Sequence, residues 1–245
     1  MSRYEDLGEG RPFLLLHGGG GPQTVAGFGA LLAEHGRVIV PVHPGYNGTE
    51  LPESLAGMRA LAGLYLGLLE ELDLRDVIVV GNSMGGWIGA EMAASGSARI
   101  SGLVLVNAVG LEVEGEPVVD IFPLTPGELA KLSFHDPAKF ALDPGALPEG
   151  VRVVMASNRA ALEVYGAAGM VDSTLRGRLA GVAVPTAVLW GESDEVVTPA
   201  YGRAFAAAIP GATFRLLPET GHVPQVETPG LLLDAVLEFA GQTVQ

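Results

Sequence analysis

The chain has 245 residues, of which 48% are hydrophobic and 17% charged, so it can bury one sizeable core and is not a disordered chain. Acidic residues outnumber basic residues 28 to 14, giving a net charge of −14, and this balance argues against nucleic acid or an anionic membrane as a partner. Cysteine is absent, which excludes disulfides, thiolate catalysis and cysteine-ligated zinc.

No targeting signal is expected from the first residues of the sequence. Residues 1–10 are mostly polar or charged and lack the apolar core of a signal peptide. The longest apolar runs elsewhere have the length of a strand, so no segment is predicted to span a membrane. We therefore expect a cytoplasmic protein that does not bind membranes.

Predicted strands and helices alternate along most of the chain. In chain order they are strands at 11–16 and 37–42, a helix at 55–72, a strand at 76–80, a helix at 88–94, strands at 100–106 and 184–190, a helix at 199–208, a strand at 213–217 and a helix at 231–239. Continuous apolar strands separated by helices are typical of parallel strands buried on both faces. The sequence predicts a three-layer α/β fold, with a mostly parallel sheet flanked by helices.

Residues 111–181 interrupt this alternation. They contain helical pieces separated by prolines and no convincing strand. Residues 125–128, Thr-Pro-Gly-Glu, combine a capping box with proline at the first helical position. We expect a small helical insertion over one end of the sheet, with residues 1–110 and 182–245 forming the core domain.

The segment Gly81-Asn82-Ser83-Met84-Gly85 fits the pattern G-x-S-x-G. The pattern alone is a weak signal, but here it joins a predicted buried strand to a predicted helix, as a nucleophile elbow requires. Small flanking residues let the strand and helix approach closely. Ser83 would then stand at the carboxyl end of the sheet, where the helix dipole favours negative charge. The structural alternative is a glycine-rich turn in which the serine only caps the helix.

A serine hydroxyl needs a base to become a nucleophile. His222 lies in a loop just after the last predicted strand, where its side chain can reach the same end of the sheet. Asp194 follows the preceding strand and is the candidate carboxylate that orients the histidine, whereas Glu192 and Glu195 are predicted to be surface groups. The remaining histidines are predicted to be mainly structural: His17, His35, His43 and His135.

Four consecutive glycines, residues 18–21, follow the first predicted strand. Their amides can face a ligand, and we expect the amides of Gly19 and Met84 to form an oxyanion hole, in which a single donor is typically worth about 10² to 10³ in turnover. A nucleotide site is excluded because no Lys-Ser/Thr follows the glycines and the G-x-G-x-x-G spacing is absent. No metal or organic cofactor is expected.

Together these motifs resemble the α/β-hydrolase superfamily from about residue 11 to residue 239. The resemblance places the strand-end His-Gly of the family at His17-Gly18, its nucleophile at Ser83, its acid at Asp194 and its base at His222. It implies that the insertion is a cap over the substrate pocket. The first edge strand of the family is expected to be missing or reduced, because little chain precedes the first apolar run. A serine rather than an aspartate nucleophile argues against haloalkane dehalogenase and epoxide hydrolase chemistry.

Several side chains are candidates for lining the substrate pocket. The alternative for each apolar candidate is that it packs in the hydrophobic core instead. The apolar candidates are Trp87, Phe122, Phe134, Met155 and Met170. Arg159, beside Asn158, is the polar candidate, either for binding a substrate carboxylate or as a solvated helix arginine.

We therefore expect a serine hydrolase that cleaves a small, mostly apolar ester or thioester through an acyl-enzyme intermediate. One alternative is a carbon–carbon bond hydrolase of ring-fission products, whose elbow is similar to the "GNSMGG" of this chain. The other is a non-catalytic ligand-binding module on the same fold. The expected partner is a small-molecule substrate, and the protein is expected to be a monomer or homodimer.

Overall fold

The computed structural model describes residues 3–141, 144–167 and 169–243. Its centre is a seven-stranded sheet. In spatial order the strands are β1 (Tyr4–Leu7), β3 (Arg37–Pro41), β2 (Pro12–Leu16), β4 (Val77–Asn82), β5 (Ile100–Val106), β8 (Thr186–Gly191) and β9 (Thr213–Leu217). All neighbouring strands pair in parallel except β1, which runs antiparallel to β3.

Helices cover both faces of the sheet. Helices α1 (Gln23–Leu32) and α10 (Pro229–Gln242) pack on one face, and α2 (Met58–Glu71), α3 (Met84–Ala94) and α8 (Pro199–Ala207) pack on the other. Alternate residues of β4 contribute to the two cores, Val77 and Val79 to one and Ile78 and Val80 to the other. Because the central strand β4 is buried on both sides, its sequence is apolar up to Gly81-Asn82. The predicted three-layer α/β fold is confirmed.

The edge strand β1 is short but present. Tyr4 pairs with Pro41 and Leu7 with Val38 across its four residues. The strand is expected to be missing or reduced, and the structure shows that it is reduced but not missing. Its exposed outer side explains the weak apolar signal in the sequence.

The insertion is built mainly from helices, as predicted. They are α4 (Pro126–Ser133), α5 (Pro137–Phe140), α6 (Glu149–Tyr165) and α7 (Leu175–Leu179). The capping box at the start of α4 forms, with reciprocal hydrogen bonds between Thr125 and Glu128. The expectation of no strand is wrong at one point, because β7 (Val171–Asp172) pairs in parallel with β6 (Gly110–Leu111). Two residues are too few for any periodicity to reveal a strand.

Helix α6 is fastened to the loops at the carboxyl end of the sheet. The Asn158 side chain accepts from the Asn47 amide at 2.8 Å and donates to the Gly20 carbonyl at 3.3 Å. The Tyr165 hydroxyl donates to the Pro44 carbonyl at 3.0 Å. The insertion therefore lies over the end of the sheet at which β2, β4, β5, β8 and β9 all finish. The short helix α9 (Pro224–Glu227) follows the loop after β9.

Candidate active site

Ser83 lies at a strained turn between β4 and α3. Its backbone angles are φ 54° and ψ −117°, a region that residues other than glycine rarely occupy. A β-carbon added at Gly81 would lie 2.3 Å from the Gly85 carbonyl oxygen, and one added at Gly85 would lie 2.3 Å from the Leu16 oxygen. Ser83 makes no side-chain capping bond to α3. The turn thus requires both glycines and leaves the hydroxyl free for another partner.

That partner is His222, in the loop between β9 and α9. The His222 Nε2 atom lies 3.0 Å from the Ser83 Oγ, and its Nδ1 atom lies 2.8 Å from Asp194 Oδ2. Asp194 is 2% exposed and His222 8% exposed. With Nδ1–H donating to the carboxylate, Nε2 is free to accept the serine proton. The structure brings the three predicted residues into one hydrogen-bonded chain.

Asp194 accepts hydrogen bonds at both of its oxygens. Its Oδ1 accepts from the backbone amides of Val196 at 2.8 Å and Val197 at 3.0 Å. Its Oδ2, which faces His222, also accepts from the side-chain amide of Asn107 at 2.5 Å. These donors fix the direction of the carboxylate.

Asn82, which precedes the serine, supports the histidine loop. Its Nδ2 donates to the backbone carbonyls of His222 at 3.1 Å and Val106 at 3.2 Å. Its Oδ1 accepts from the Gln225 side chain at 3.0 Å. Sequence reasoning missed Asn82, Asn107 and Gln225. For Asn82 and Asn107 the available signal was a polar residue at the end of a buried strand.

The glycine loop after β2 passes beside Ser83. A β-carbon added at Gly18 would lie 3.1 Å from the Ser83 β-carbon, and one added at Gly19 would lie 2.6 Å from Leu162 Cδ2 on α6. Within the described residues, neither the Gly19 amide nor the Met84 amide donates to a protein acceptor. Both amides therefore remain available to a ligand at the serine.

His17 and His43 are buried next to this loop and bond to its backbone at residues 17 and 18. His43 Nε2 donates to the His17 carbonyl at 2.9 Å, and the His43 amide donates to His17 Nε2 at 3.1 Å. His43 Nδ1 lies 2.5 Å from the Tyr65 hydroxyl. Burial lowers the pKa of His43 to about 4 and holds the pKa of His17 well below its usual value. Both imidazoles are neutral and structural, as the sequence predicts.

The other rivals for the catalytic roles lie apart from the serine. Glu192, Glu195 and His35 are exposed. His135 is exposed as well, and its Nδ1 lies 2.8 Å from the Ser193 hydroxyl. The structure thus gives none of these side chains the contact with Ser83 that His222 makes.

The predicted pocket residues do not gather around Ser83. Trp87 is buried in the core, where its ring packs against Gly110. Met155 is 39% exposed on α6. Phe134 stacks on Phe140 with ring centroids 5.6 Å apart, and its backbone lies beside Gly221, next to His222. Phe134 thus lies near His222 through its backbone, and the Trp87 amide donates to the Ser83 carbonyl at 3.2 Å, but none of these three side chains is shown in contact with the Ser83 hydroxyl.

Phe122 and Met170 line a different cavity. It has a volume of about 410 Å³ and lies between the segment after β6 and the end of α6. Arg159 donates to the carbonyls of Ile121 at 3.1 Å and Phe122 at 2.6 Å, and its Nε lies 3.5 Å from Glu163. The guanidinium thus has partners within the insertion, whereas the side chain of Asn158 bonds to the core loops at Asn47 and Gly20.

Behind Trp87, a buried ion pair joins α3 to the end of the insertion. Glu91 accepts from the Trp87 indole at 3.3 Å and pairs with Arg178 at 2.5 Å, and Arg178 also pairs with Asp172 at 2.6 Å. Burial alone would raise the pKa of Asp172, but hydrogen bonds from Thr174 and Arg178 lower it to about 2. This network explains why Trp87 faces the core.

Metal-binding clusters and membrane-spanning helices are both absent from the described ranges 3–141, 144–167 and 169–243. No group of three or more histidine, aspartate or glutamate side chains in them is arranged to bind a metal ion. No helix in them is both long enough and apolar enough to cross a membrane.

Comparison with known proteins identifies the family. The model of the alpha/beta hydrolase family matches residues 13–235. The chain belongs to the α/β-hydrolase family. Its strand order and its elbow between β4 and α3 agree with that assignment.

Relatives of this α/β-hydrolase carry the names of a lipase, an esterase and a hydrolase of oxo-dienedioates and oxo-trienedioates. A 2-hydroxy-6-oxononadienedioate/2-hydroxy-6-oxononatrienedioate hydrolase of Cupriavidus pinatubonensis is 30% identical over 96% of this chain and 89% of that protein. Lipase 3 of Moraxella sp. is 30% identical over 89% of this chain and 73% of that protein. A thermophilic esterase from Thermogutta terrifontis, solved with malate bound, is 26% identical, with a TM-score of 0.77, covering 100% of this chain and 94% of that chain.

Proposed function

We propose that this α/β-hydrolase is a serine hydrolase that cleaves a small, mostly apolar ester or thioester. The observation that carries the proposal is the hydrogen-bonded chain from Ser83 through His222 to Asp194, at 3.0 and 2.8 Å. A buried carboxylate, an imidazole and a hydroxyl in this order form the arrangement that activates a serine.

The reaction proceeds through an acyl-enzyme. His222 Nε2 takes the Ser83 proton as the serine oxygen attacks the substrate carbonyl carbon. The amides of Gly19 and Met84 stabilise the negative oxygen of the tetrahedral intermediate. His222 then protonates the departing alcohol or thiol. Water attacks the acyl group with His222 as base, the carboxylic acid leaves and Ser83 regains its proton, while Asp194 holds the ring and stabilises its charged form.

The state of Arg159 favours an ester over a ring-fission product. Hydrolysis of a ring-fission product needs a cationic group that holds the acid end of the substrate. The Arg159 guanidinium already donates to two backbone carbonyls and lies beside Glu163. Binding a substrate carboxylate there would cost those hydrogen bonds. Carbon–carbon bond hydrolysis remains the second candidate, because the Cupriavidus relative carries the name of such an enzyme.

A non-catalytic binding module is the less favoured alternative. A receptor has no need for a base and an acid hydrogen-bonded in line with one strained serine. The oligomeric state stays a prediction of monomer or homodimer, and the partner remains a small-molecule substrate.

The test is an assay of the purified protein and its Ser83→Ala variant. We expect hydrolysis of short nitrophenyl esters by the parent chain and a loss of about 10³-fold or more in the variant. A vinylogous diketo acid should be cleaved much more slowly than the esters. Rapid cleavage of the diketo acid with negligible ester turnover would instead select the carbon–carbon bond hydrolase, and no turnover of either substrate would favour the binding module.

A further inference from the structure

The loops that carry Asp194 and His222 both rest on the end of helix α4. The amide of Glu195, next to Asp194, donates to the Leu132 carbonyl at 3.0 Å. The amide of His222 itself donates to the Ser133 carbonyl at 2.7 Å. The last carbonyls of a helix lack partners inside the helix, and here two loops of the candidate active site supply them.

Glu227, the last residue of α9, ties the same parts together from the other side. Its Oε2 accepts from the amides of Gly221 at 2.7 Å and His135 at 3.2 Å, and its Oε1 accepts from the Asp136 amide at 2.9 Å. Hydrogen bonds to a carboxylate are roughly twice as strong as those between neutral groups. One side chain thus joins the segment after α4 to the residue that precedes His222.

The fit between the two segments is close. A β-carbon added at Gly221 would lie 2.2 Å from the Ser133 carbonyl oxygen. The loop therefore cannot shift toward α4, and the Glu227 carboxylate opposes its movement away. A side-chain contact between His135 and Ser193, at 2.8 Å, adds a link to the loop of Asp194.

We propose that Glu227 is a positioning residue for the reaction: by joining residues 132–136 to Gly221, it sets the position of the His222 ring against Ser83. This inference rests on the proposed function of His222 as the base. It makes the α4 end of the insertion part of the catalytic frame. A lid that opened at this end would carry the base away from the serine, so substrate enters from another side.

The kinetic test compares Glu227→Gln with Glu238→Gln. The first variant keeps the size of the side chain but replaces one acceptor oxygen by a donor. Glu238, the control position, is exposed and pairs with Arg215. We expect Glu227→Gln to lower kcat on nitrophenyl esters about 10- to 100-fold, since a small misplacement of the base is costly. KM should change little, the rate of labelling by a fluorophosphonate should fall with kcat, and Glu238→Gln should match the parent. An unchanged kcat in folded Glu227→Gln protein overturns the proposal.

The second readout is amide hydrogen exchange, which needs no catalysis. In the parent protein, residues 132–136 and 220–222 should exchange as one unit. In Glu227→Gln both segments should exchange faster, and in Glu238→Gln neither should. If 132–136 open independently of 220–222 in the parent protein, the proposal fails even where the variant does not fold. A parent protein that neither hydrolyses esters nor reacts with the fluorophosphonate contradicts the proposed function instead. The exchange experiment then still tests whether Glu227 couples residues 132–136 to residues 220–222.

Discussion

Asn107 and His222 both contact the Oδ2 atom of Asp194. The side-chain amide of Asn107 donates to it at 2.5 Å, and the His222 Nδ1 lies 2.8 Å from it. Asn107 is fully buried and adopts a backbone φ of 48° just after β5. The Nδ2 end of the side chain faces Asp194, because the Oδ1 end accepts from the Gly191 amide at 3.4 Å. Asn107 therefore fixes the carboxylate in the direction that the imidazole needs.

Replacing Asn107 by glycine tests this role without straining the backbone, because glycine tolerates the positive φ. We expect the Asn107→Gly variant to lose about tenfold in kcat or more, since the carboxylate loses a charge-assisted donor and can turn. Steady-state kinetics on a nitrophenyl ester provide the measurement. The matched control is Asp73→Gly, an exposed residue with φ 43°, which should retain the parent kcat. Equal kcat values for the two variants would exclude the role.

Leu162 on α6 should limit the size of the acyl group, because it is buried against Gly19 beside the serine. The Leu162→Ala variant opens space there. We expect the ratio of kcat/KM for octanoate to acetate nitrophenyl esters to rise about tenfold, as pocket contacts of this size change specificity by roughly 10- to 200-fold. Val164→Ala, on the same helix but 48% exposed, should leave the ratio unchanged. A ratio that stays constant in Leu162→Ala would show that the acyl group lies elsewhere.

Removing one partner of the ion pair between Glu91 and Arg178 should cost more stability than removing both. The Glu91 side chain is 4% exposed, so Arg178→Met leaves a buried charge unpaired and should lower the free energy of unfolding by about 3 kcal/mol. The double variant Glu91→Met with Arg178→Met should recover much of that loss. Urea denaturation measures the free energy of unfolding of the single and the double variant. Arg215→Met removes an exposed pair and should cost less than about 1 kcal/mol; an equal cost for Arg178→Met would contradict the burial argument.

Acid should destabilise the protein through His43. Its pKa of about 4 in the fold lies below its ordinary value of 6.5, because burial disfavours the charged ring. The unfolded chain therefore binds more protons between these values, and stability falls as the pH drops from about 6.5 to about 4, by up to about 3 kcal/mol.

The comparison that isolates this effect is the loss of unfolding free energy between pH 7 and pH 4.5. The His43→Gln variant should lose less than the parent chain over this range, although it is less stable at pH 7 because the contact with Tyr65 is disturbed. His35→Gln, at an exposed position, should lose as much as the parent. Identical losses in all three proteins would mean that His43 is not the group that titrates.

Sequence patterns predicted the sheet well because its strands are local apolar runs. The expected strands at 100–106 and 213–217 coincide with β5 and β9, while β4 extends two residues further, to Asn82. The insertion was harder to read. Helix α6 exposes apolar side chains such as Val153 and Met155, so hydrophobicity alone could not show which residues face the serine.

The structure brings together the candidate site residues that a motif names, whereas sequence reasoning missed the residues that only tertiary contacts bring to the site. Ser83, Asp194 and His222 follow strand ends in a recognisable order. Asn82 and Asn107 act on partners 140 and 87 residues away, and no local pattern links such positions. Glu227 was missed for the same reason, because the backbone amides that it binds at residues 135 and 136 belong to the insertion.

The central claim is that Ser83 is the nucleophile, and covalent labelling tests it most directly. The parent protein is treated with a fluorophosphonate, the intact mass is measured, and the modified residue is located by peptide sequencing. We predict one adduct per chain, on Ser83, with none in Ser83→Ala and slower labelling in His222→Gln. An adduct on another residue, or an unmodified parent chain under conditions that label a known serine hydrolase, would contradict the account.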